Sequence, residues 1–249
     1  MSAGFDGSAA YLVNASAPIT AVPFTVGLWA MFTTSGTNAT LWSLSDTGST
    51  DDWFYINKGT DDKVNIGSQQ ASGSANAGTV STADTVNTWF YVIARFISST
   101  SRRISVLHNG GLIENAINAT STVPTSIDRV SVGALDRLGG AVTFWPGLIA
   151  EYWLANADIQ AAGGQLDSGI LRQLACRGPF SYPPLIPNLV EYHSFRKTLP
   201  PILTPEDAYS GTLGPQTWVN SGAVAPGRAH PPLPYEYYRP RPVSRTLPI

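Results

Sequence analysis

The sequence predicts an all-β protein in which two antiparallel sheets pack face to face. About ten short runs rich in Val, Ile, Phe, Tyr and Trp follow one another at roughly 8–15-residue spacing, with Gly, Pro, Asn, Asp and Ser between them. Phe24, Val26 and Leu28 fall on one face of such a run because side chains alternate along an extended chain. One stretch, residues 166–175, has helical spacing of its apolar residues. Many short strands with a single helix are typical of a β-sandwich.

Residues 87–111 are the centre of this prediction. Residues 89–97 carry Trp, Tyr, Phe, Val and Ile without Gly or Pro, which is typical of a largely buried strand. A small polar turn leads into residues 104–109, which return as a second strand. Asn109 and Gly110 then supply the residues with positive φ that a tight hairpin turn needs. Two strands cannot bury both of their faces, so other strands are expected to cover them.

The same signals predict the other elements of the sandwich. The remaining predicted strands are residues 5–13, 24–33, 41–45, 53–57, 64–69, 128–135 and 143–155. Residues 70–82 and 116–124 are rich in Ser, Thr and Ala and are predicted as loops. Pro146 and Gly147 indicate a bulge near the start of the last strand.

A helix and a change of composition mark the end of the predicted sandwich. Residues 166–175 are predicted as the helix, with Asp167 or Ser168 as its cap. Fifteen of the nineteen prolines lie from residue 179 onward. We therefore predict two parts, a sandwich over residues 1–178 and an extended arm rich in Pro and Tyr over residues 179–249. The arm is too aromatic for a typical disordered linker, so it either wraps over its own sandwich or docks on a neighbouring subunit.

Composition excludes several classes of protein. The chain has 249 residues, and a hydrophobic fraction of 43% is sufficient for a sizeable core. The net charge is −2, without the basic stripe of a nucleic-acid-binding protein. A single Cys176 excludes an internal disulfide framework and a cysteine-based zinc site. No secretory signal is visible, and no stretch approaches the roughly 18 apolar residues of a membrane span.

Six motifs in order resemble a known group of domains. They are FDGSAAYL (5–12), PFTVGLWAMF (23–32), NTWFYVIARF (87–96), RISVLHNGG (103–111), RVSVGAL (129–135) and FWPGLIAEYWLANADI (144–159). Over residues 1–178 the chain is similar to laminin-G-like, concanavalin A-like lectin domains of the pentraxin type. The spacing from Phe144 to Gly147 is one residue longer than is usual in that group. The resemblance implies a two-sheet antiparallel jelly-roll sandwich with one short helix.

The C-terminal part is similar to arms that follow such domains in phage-encoded virion proteins. The matching segments are residues 177–180, 187–192, 209–213 and 231–238. This resemblance implies a non-enzymatic structural protein of the phage particle, either a capsid decoration or a tail-associated protein, that attaches to other virion proteins and forms a homo-oligomer. The residues expected to contact the partner are Tyr235, Tyr237, Tyr238, Arg239 and Arg241. The alternative is a carbohydrate-binding, lectin-like module that adheres to a host surface glycan.

The resemblance also implies candidate binding residues. Glycan binding would need an exposed aromatic ring, for which Trp53 and Trp145 are the candidates. No cofactor is predicted, but members of this group often hold Ca²⁺ at the sheet rim. Asp51, Asp52 and Asp136 are the candidate ligands, although Asp is also common in turns because it bonds its own backbone.

The sequence does not favour an enzyme. Glucanases of this fold carry a Glu-x-Asp-x-x-Glu arrangement, because retaining hydrolysis needs two carboxyl groups at close range, and the chain has no such run. No Gly-x-Ser-x-Gly elbow accompanies its three histidines. His108 is predicted to be a partly exposed strand residue and not a general base.

Overall fold

The computed structural model describes residues 2–70, 76–119, 123–160, 164–177, 186, 188–193 and 195, and the strands within residues 208–227. The strands are β1 Ser2–Asp6, β2 Tyr11–Asn14, β3 Phe24–Phe32, β4 Ala39–Ser45, β5 Trp53–Lys58, β6 Val64–Gln69, β7 Asn76–Thr79, β8 Phe90–Ser98, β9 Ser101–Leu107, β10 Ile113–Asn118, β11 Arg129–Val132, β12 Leu135–Arg137, β13 Gly140–Val142, β14 Pro146–Ala155, β15 Leu189–His193, β16 Ala208–Ser210, β17 Trp218–Ser221 and β18 Ala225–Gly227. One helix is described, α1 Ser168–Arg177.

The strands form two large antiparallel sheets. The nine-stranded sheet has the order β10-β9-β8-β3-β14-β1-β18, with β15 paired to β14 and β16 paired to β15. The seven-stranded sheet has the order β17-β2-β11-β4-β5-β6-β7. The short hairpin β12–β13 is a separate two-stranded sheet, whose strands do not pair with either large sheet. This arrangement confirms the predicted two-sheet sandwich.

Aromatic rings from both sheets meet in the centre of the sandwich. Phe24 and Phe96 come from the nine-stranded sheet and stack with ring centroids 4.5 Å apart. Phe54 of the seven-stranded sheet lies 5.2 Å from each of them, and Trp42 lies 5.9 Å from Phe24. All four side chains are fully buried. Burying one such ring stabilises the fold by about 2–3 kcal/mol, so the four rings together hold the two sheets against each other.

The helix α1 covers the outer face of the nine-stranded sheet. Asp167 caps it, because its Oδ1 accepts hydrogen bonds from the amides of Gly169 at 2.7 Å and Ile170 at 3.1 Å. The residues of the second apolar cluster include Trp29, Tyr91, Leu107, Trp153, Leu171 and Leu174. The nine-stranded sheet therefore has an apolar core on each of its two faces. Within the described part of the chain, no helix has the length and apolarity to cross a bilayer.

Some boundaries differ from the prediction. The predicted strand 5–13 is two strands, because the Asp6 carboxylate accepts hydrogen bonds from the amides of Ser8, Ala9 and Ala10 and turns the chain. These bonds, the one from Ala9 above all, lower the pKa of Asp6. Strands β7 and β10 lie in or next to the two predicted loops, since pairing to β6 and β9 overrides their weak strand propensity.

The irregularity in β14 lies further along the strand than predicted. The pairing of β14 with β3 shifts between Ala150 and Trp153, and Glu151 has a φ of +51°. Gly147 has a different role, because a Cβ there would lie 2.1 Å from the carbonyl oxygen of Met31. The shift divides one edge of β14 into two, and β1 pairs with the first half and β15 with the second.

Strands from the predicted arm belong to the sandwich. Strand β15 pairs with β14, β17 pairs with β2 and β18 pairs with β1. The sandwich therefore continues beyond residue 178, where its boundary was predicted. The five arm residues predicted to contact a partner lie outside the described residues.

Candidate functional site

The candidate site lies on the outer face of the seven-stranded sheet. Alternation along β5 turns Phe54 and Ile56 into the core and leaves Trp53 and Tyr55 on the outside. The rings of Trp53 and Tyr55 meet edge to face with centroids 4.8 Å apart. Leu135 of β12 joins their cluster and Val142 of β13 packs against it. We call Trp53, Tyr55, Leu135 and Val142 the outer patch.

The loop before β5 is held beside the outer patch by the β12–β13 hairpin. The carbonyl oxygen of Thr50 accepts hydrogen bonds from Nη1 of Arg137 at 2.7 Å and from Nε1 of Trp53 at 3.3 Å. The amide of Leu138 donates to the carbonyl oxygen of Ser49 at 3.1 Å. These bonds bring Asp51 and Asp52 next to the rings.

Polar side chains border the outer patch. Asp51 Oδ1 accepts a hydrogen bond from Nε2 of Gln69 at 2.6 Å, and Gln69 lies opposite Trp53 in the sheet. Asn57 follows Tyr55 on the same face and donates to Asn38 at 2.9 Å. Oδ1 of Asn57 has no hydrogen-bond partner among the described residues. We call Asp51, Gln69 and Asn57 the polar rim.

Tyr55, the ionisable residue of the outer patch, is uncharged at neutral pH. Burial raises the pKa of Tyr55, so its hydroxyl remains protonated and able to donate a hydrogen bond at neutral pH. Trp53 and Tyr55 are only 7% and 8% exposed. Both rings are therefore largely buried, and the amide and carboxylate groups of the polar rim lie around them.

The candidate calcium ligands are engaged by protein groups. Asp136 is 2% exposed, and its Oδ2 lies 2.7 Å from Nη1 of Arg129. Asp51 binds Gln69, and Oδ2 of Asp52 accepts a hydrogen bond from Ser49 at 2.9 Å. Among residues that the structure describes, no group of three or more His, Cys, Asp or Glu side chains is placed to hold a metal ion. The three carboxylates therefore do not fit a shared calcium site.

Trp145 is a core residue. It is fully buried, and its ring lies 6.2 Å from Phe32 and 6.4 Å from Phe90, edge to face. No ligand at the surface can stack on it, which removes Trp145 from the candidate glycan-binding residues. Tyr55 was missed, although alternation in residues 53–57 places it on the face of Trp53.

His108 is buried, contrary to the prediction of a partly exposed residue. Its side chain is 4% exposed, with Nδ1 2.8 Å from Asp84 Oδ1 and Nε2 3.5 Å from Glu114 Oε2. The hydroxyls of Ser81 and Thr82 both donate to Glu114, each at 2.7 Å, and not to the imidazole. The cluster therefore lacks the hydroxyl-to-imidazole contact of a Ser-His-Asp site.

The charges around His108 set its protonation. Burial alone would lower the pKa of His108, but the hydrogen bond to Asp84 and the charges of Asp84 and Glu114 raise it overall. Burial raises the pKa of Asp84 more than His108 lowers it. Burial of Glu114 is outweighed by hydrogen bonds, mainly from Thr82, which lower its pKa to about 2. The imidazolium and the Glu114 carboxylate are thus mutually stabilised.

Comparison with solved structures shows the same fold in distant proteins. A heptameric SAP-like pentraxin from Limulus polyphemus is 15% identical, with a TM-score of 0.52 over 72% of this chain and 84% of the pentraxin. A candidate carbohydrate-binding protein from Bacteroides ovatus is 12% identical, with a TM-score of 0.55 over 92% of this chain and 60% of that protein. The LG1-3 region of the laminin α2 chain is 15% identical, with a TM-score of 0.49 over 61% of this chain and 30% of that region.

At the level of sequence the chain stands apart from these proteins. No protein-family model matches it, and no curated protein matches it either. Identities of this size establish the fold and leave the activity open. The chain therefore has the concanavalin A-like jelly-roll fold that the sequence motifs predicted.

Proposed function

We propose that this protein is a non-catalytic, lectin-like module that binds carbohydrate on the outer face of its seven-stranded sheet. The observation that carries the proposal is the pair of aromatic rings, Trp53 and Tyr55, bordered by the polar rim. Sugars combine apolar C–H surfaces with many hydroxyls, so a site for them combines aromatic carbon with fixed amide and carboxylate groups.

Each part of the rim has a separate role in this proposal. Asp51 fixes the amide of Gln69 by accepting its Nε2–H, which leaves Oε1 of Gln69 for a sugar hydroxyl. Oδ1 of Asn57 is buried without a partner in the described part of the chain, so it needs a donor and is a second acceptor in this proposal. Trp53 and Tyr55 supply the apolar surface between them. Because the rings are fixed by packing, little entropy is lost when a sugar docks.

The fold supports the proposal without establishing it. The Bacteroides ovatus protein, described as a candidate carbohydrate binder, shares this fold. Hydrolysis is not proposed, because the chain lacks the paired carboxylates that it requires. Release of reducing sugar from a polysaccharide by the purified protein would contradict the non-catalytic part of the proposal.

A glycan array followed by calorimetry tests the proposal. We expect the intact protein to bind at least one glycan, and the Gln69→Ala and Asn57→Ala variants to bind it at least tenfold more weakly. The matched control is Asn109→Ala, which removes an exposed amide from the turn between β9 and β10 of the opposite sheet and should leave the affinity unchanged. Absence of glycan binding by the intact protein, or equal affinity in all variants, would contradict the proposal.

A second candidate function is attachment within a phage particle. It is favoured by the sequence of residues 228–249, which is rich in Pro, Tyr and Arg and follows the last strand that the structure describes. Extended Pro-rich segments lose little entropy on docking, and Tyr provides anchors at low rotamer cost. In this proposal the arm binds other virion proteins or a second copy of the chain, and the outer patch is left for a glycan.

Deletion of residues 228–249 separates the two functions. We expect the shortened chain to lose incorporation into phage particles and to keep its glycan binding. The mass in solution, measured alongside, reports whether the same residues hold an oligomer together. Normal incorporation of the shortened chain would exclude the arm as the attachment element.

A further inference from the structure

A cavity lies on the outer face of the nine-stranded sheet, beside the start of α1. Its volume is about 100 Å³, which is enough for several water molecules. The residues around it include Arg103, Ser105, Asn115, Ile117, Gln165 and Leu166. The cavity and the outer patch are on different sheets, so a ligand here would be independent of the proposed glycan site.

Arg103 brings an uncompensated positive charge to this cavity. Its Nε is inaccessible to solvent and has no hydrogen-bond partner among the described residues. Its neighbour across the sheet is a second arginine, Arg95. Arg95 is already paired, because Asp158 accepts hydrogen bonds from its Nε at 2.6 Å and its Nη2 at 2.8 Å. Buried donors are rarely left unpaired in proteins, so Arg103 indicates a missing acceptor.

The loop before α1 gives the cavity a fixed wall. Nη1 of Arg95 donates to the carbonyl oxygen of Gly164 at 2.6 Å, which holds this loop against the sheet. Gln165 and Leu166 follow directly and border the cavity, and Leu166 is 4% exposed. Leu166 therefore anchors this wall in the core, and Gln165 lies at the surface beside the opening of the cavity.

Asn115 supplies further donors. Its Oδ1 accepts a hydrogen bond from Oγ of Ser105 at 2.6 Å, which orients the amide and leaves both hydrogens of Nδ2 for a ligand. No acidic side chain is among the described residues that line the cavity. The polar groups around it thus include a guanidinium and an amide donor, with Ile117 and Leu166 as apolar neighbours.

We propose that this cavity binds a small molecule that carries a carboxylate. The guanidinium of Arg103 pairs with the two carboxylate oxygens, and Nδ2 of Asn115 donates to the same group. Arginine suits this role because its planar fork matches a carboxylate, and its charge persists at all physiological pH values. The apolar neighbours, Ile117 and Leu166, contact the carbon skeleton of the ligand.

Titration with two sugars that differ by one carboxylate tests the proposal. Glucuronate and glucose are added separately to the full chain, and binding is followed by calorimetry and by protein NMR. We expect glucuronate to bind and glucose to bind at least tenfold more weakly. The affinity for glucuronate should fall as NaCl is raised, because the pairing with Arg103 is electrostatic.

Variants assign the binding to this cavity. Arg103→Gln keeps most of the side-chain volume and removes the charge, and should weaken glucuronate binding at least tenfold. Arg103→Lys keeps the charge without the fork and should have an intermediate affinity, which also serves if Arg103→Gln does not fold. Gln69→Ala, in the polar rim of the other sheet, should bind glucuronate normally. Equal affinity for both sugars, or normal glucuronate binding by folded Arg103→Gln, would overturn the proposal.

Discussion

At the scale of single residues, buried ionisable groups make the stability of this fold depend on pH. His108, Asp84 and Glu114 form one cluster at the end of β9, in which the imidazole lies between two carboxylates. The pKa of His108 is raised in the folded protein, so folding favours its charged form. Nothing in the sequence around His108 indicated this, because Asp84 is 24 residues away.

We predict that the free energy of unfolding decreases as pH rises through the raised pKa of His108. The contribution of the imidazolium is fully present below the ordinary pKa of 6.5 and is lost above the folded value. The measurement is urea unfolding of the intact protein and of His108→Gln at pH 6 and pH 9. The intact protein should lose more stability over this range than the variant. An equal loss in both would show that His108 stays neutral in the fold.

The dependence of stability on pH in the acidic range, which arises from Glu114, provides an internal control. Glu114 has a folded pKa of about 2, below its ordinary value of 4.5. Its contribution is therefore present above pH 4.5 and is lost as pH falls toward 2. Glu114→Gln should flatten this acid limb, and His108→Gln should still show it.

At the scale of elements, a buried polar cluster joins β15 to both sheets. Glu191 of β15 is 1% exposed and accepts a hydrogen bond from the hydroxyl of Tyr152 at 2.9 Å. Its other oxygen lies 3.4 Å from Nδ2 of Asn14, in the opposite sheet. Nε1 of Trp42 donates to the Tyr152 hydroxyl at 3.3 Å, and the ring of His193 stacks on that of Tyr152. The short pairing of β15 with β14 is thus reinforced by side chains that connect the two sheets.

We predict that Tyr152→Phe destabilises the protein by about 1–3 kcal/mol, because it removes a donor from a buried carboxylate. Chemical unfolding monitored by fluorescence gives this value. Tyr11→Phe is the matched control, since the Tyr11 hydroxyl has no partner in the described part of the chain and its ring packs on Phe144. The control should stay within about 0.5 kcal/mol of the intact protein. Similar losses in both variants would show that the Glu191 contact is not important for stability.

At the scale of the whole molecule, strands from the C-terminal part complete both sheets. Strand β15 and strand β1 share one edge of β14, and β17 covers the edge of β2. Uncovered edges expose unpaired N–H and C=O groups, which favour aggregation. The C-terminal strands therefore cover edges of β1, β2 and β14 that would otherwise be unpaired.

Two truncated chains test this conclusion. We predict that a chain ending at residue 227 keeps the melting temperature of the intact protein within a few degrees. A chain ending at residue 177 loses β15, β16, β17 and β18. Its Tm should fall by roughly 10 °C or more, which corresponds to several kcal/mol in a domain of this size. Calorimetry gives both values, and light scattering reports aggregation. Equal melting temperatures for the two chains would show that the sandwich is complete without the C-terminal strands.

Local signals were sufficient for most of the fold. Strand β6 has the predicted bounds, and β3, β5 and β8 lie within one residue of theirs at each end, because each carries a long run of β-branched and aromatic residues. The helix was predicted from the spacing of its leucines, and Asp167 caps it as expected. Strand β10 was missed, since four of its six residues are Glu, Asn or Ala, which have little strand propensity of their own.

The sequence by itself determined the class of fold, the long strands of the sandwich and the helix, because alternation and capping act between near neighbours. Only the tertiary structure decided which aromatic rings are buried, which carboxylates have partners and where the C-terminal strands pair. Trp53 and Trp145 both lie next to a Pro, Gly or Asp turn, yet Trp53 belongs to the outer patch and Trp145 fills the core between the sheets. These outcomes depend on contacts between residues far apart in sequence, such as Asn14 and Glu191, and no local pattern records them.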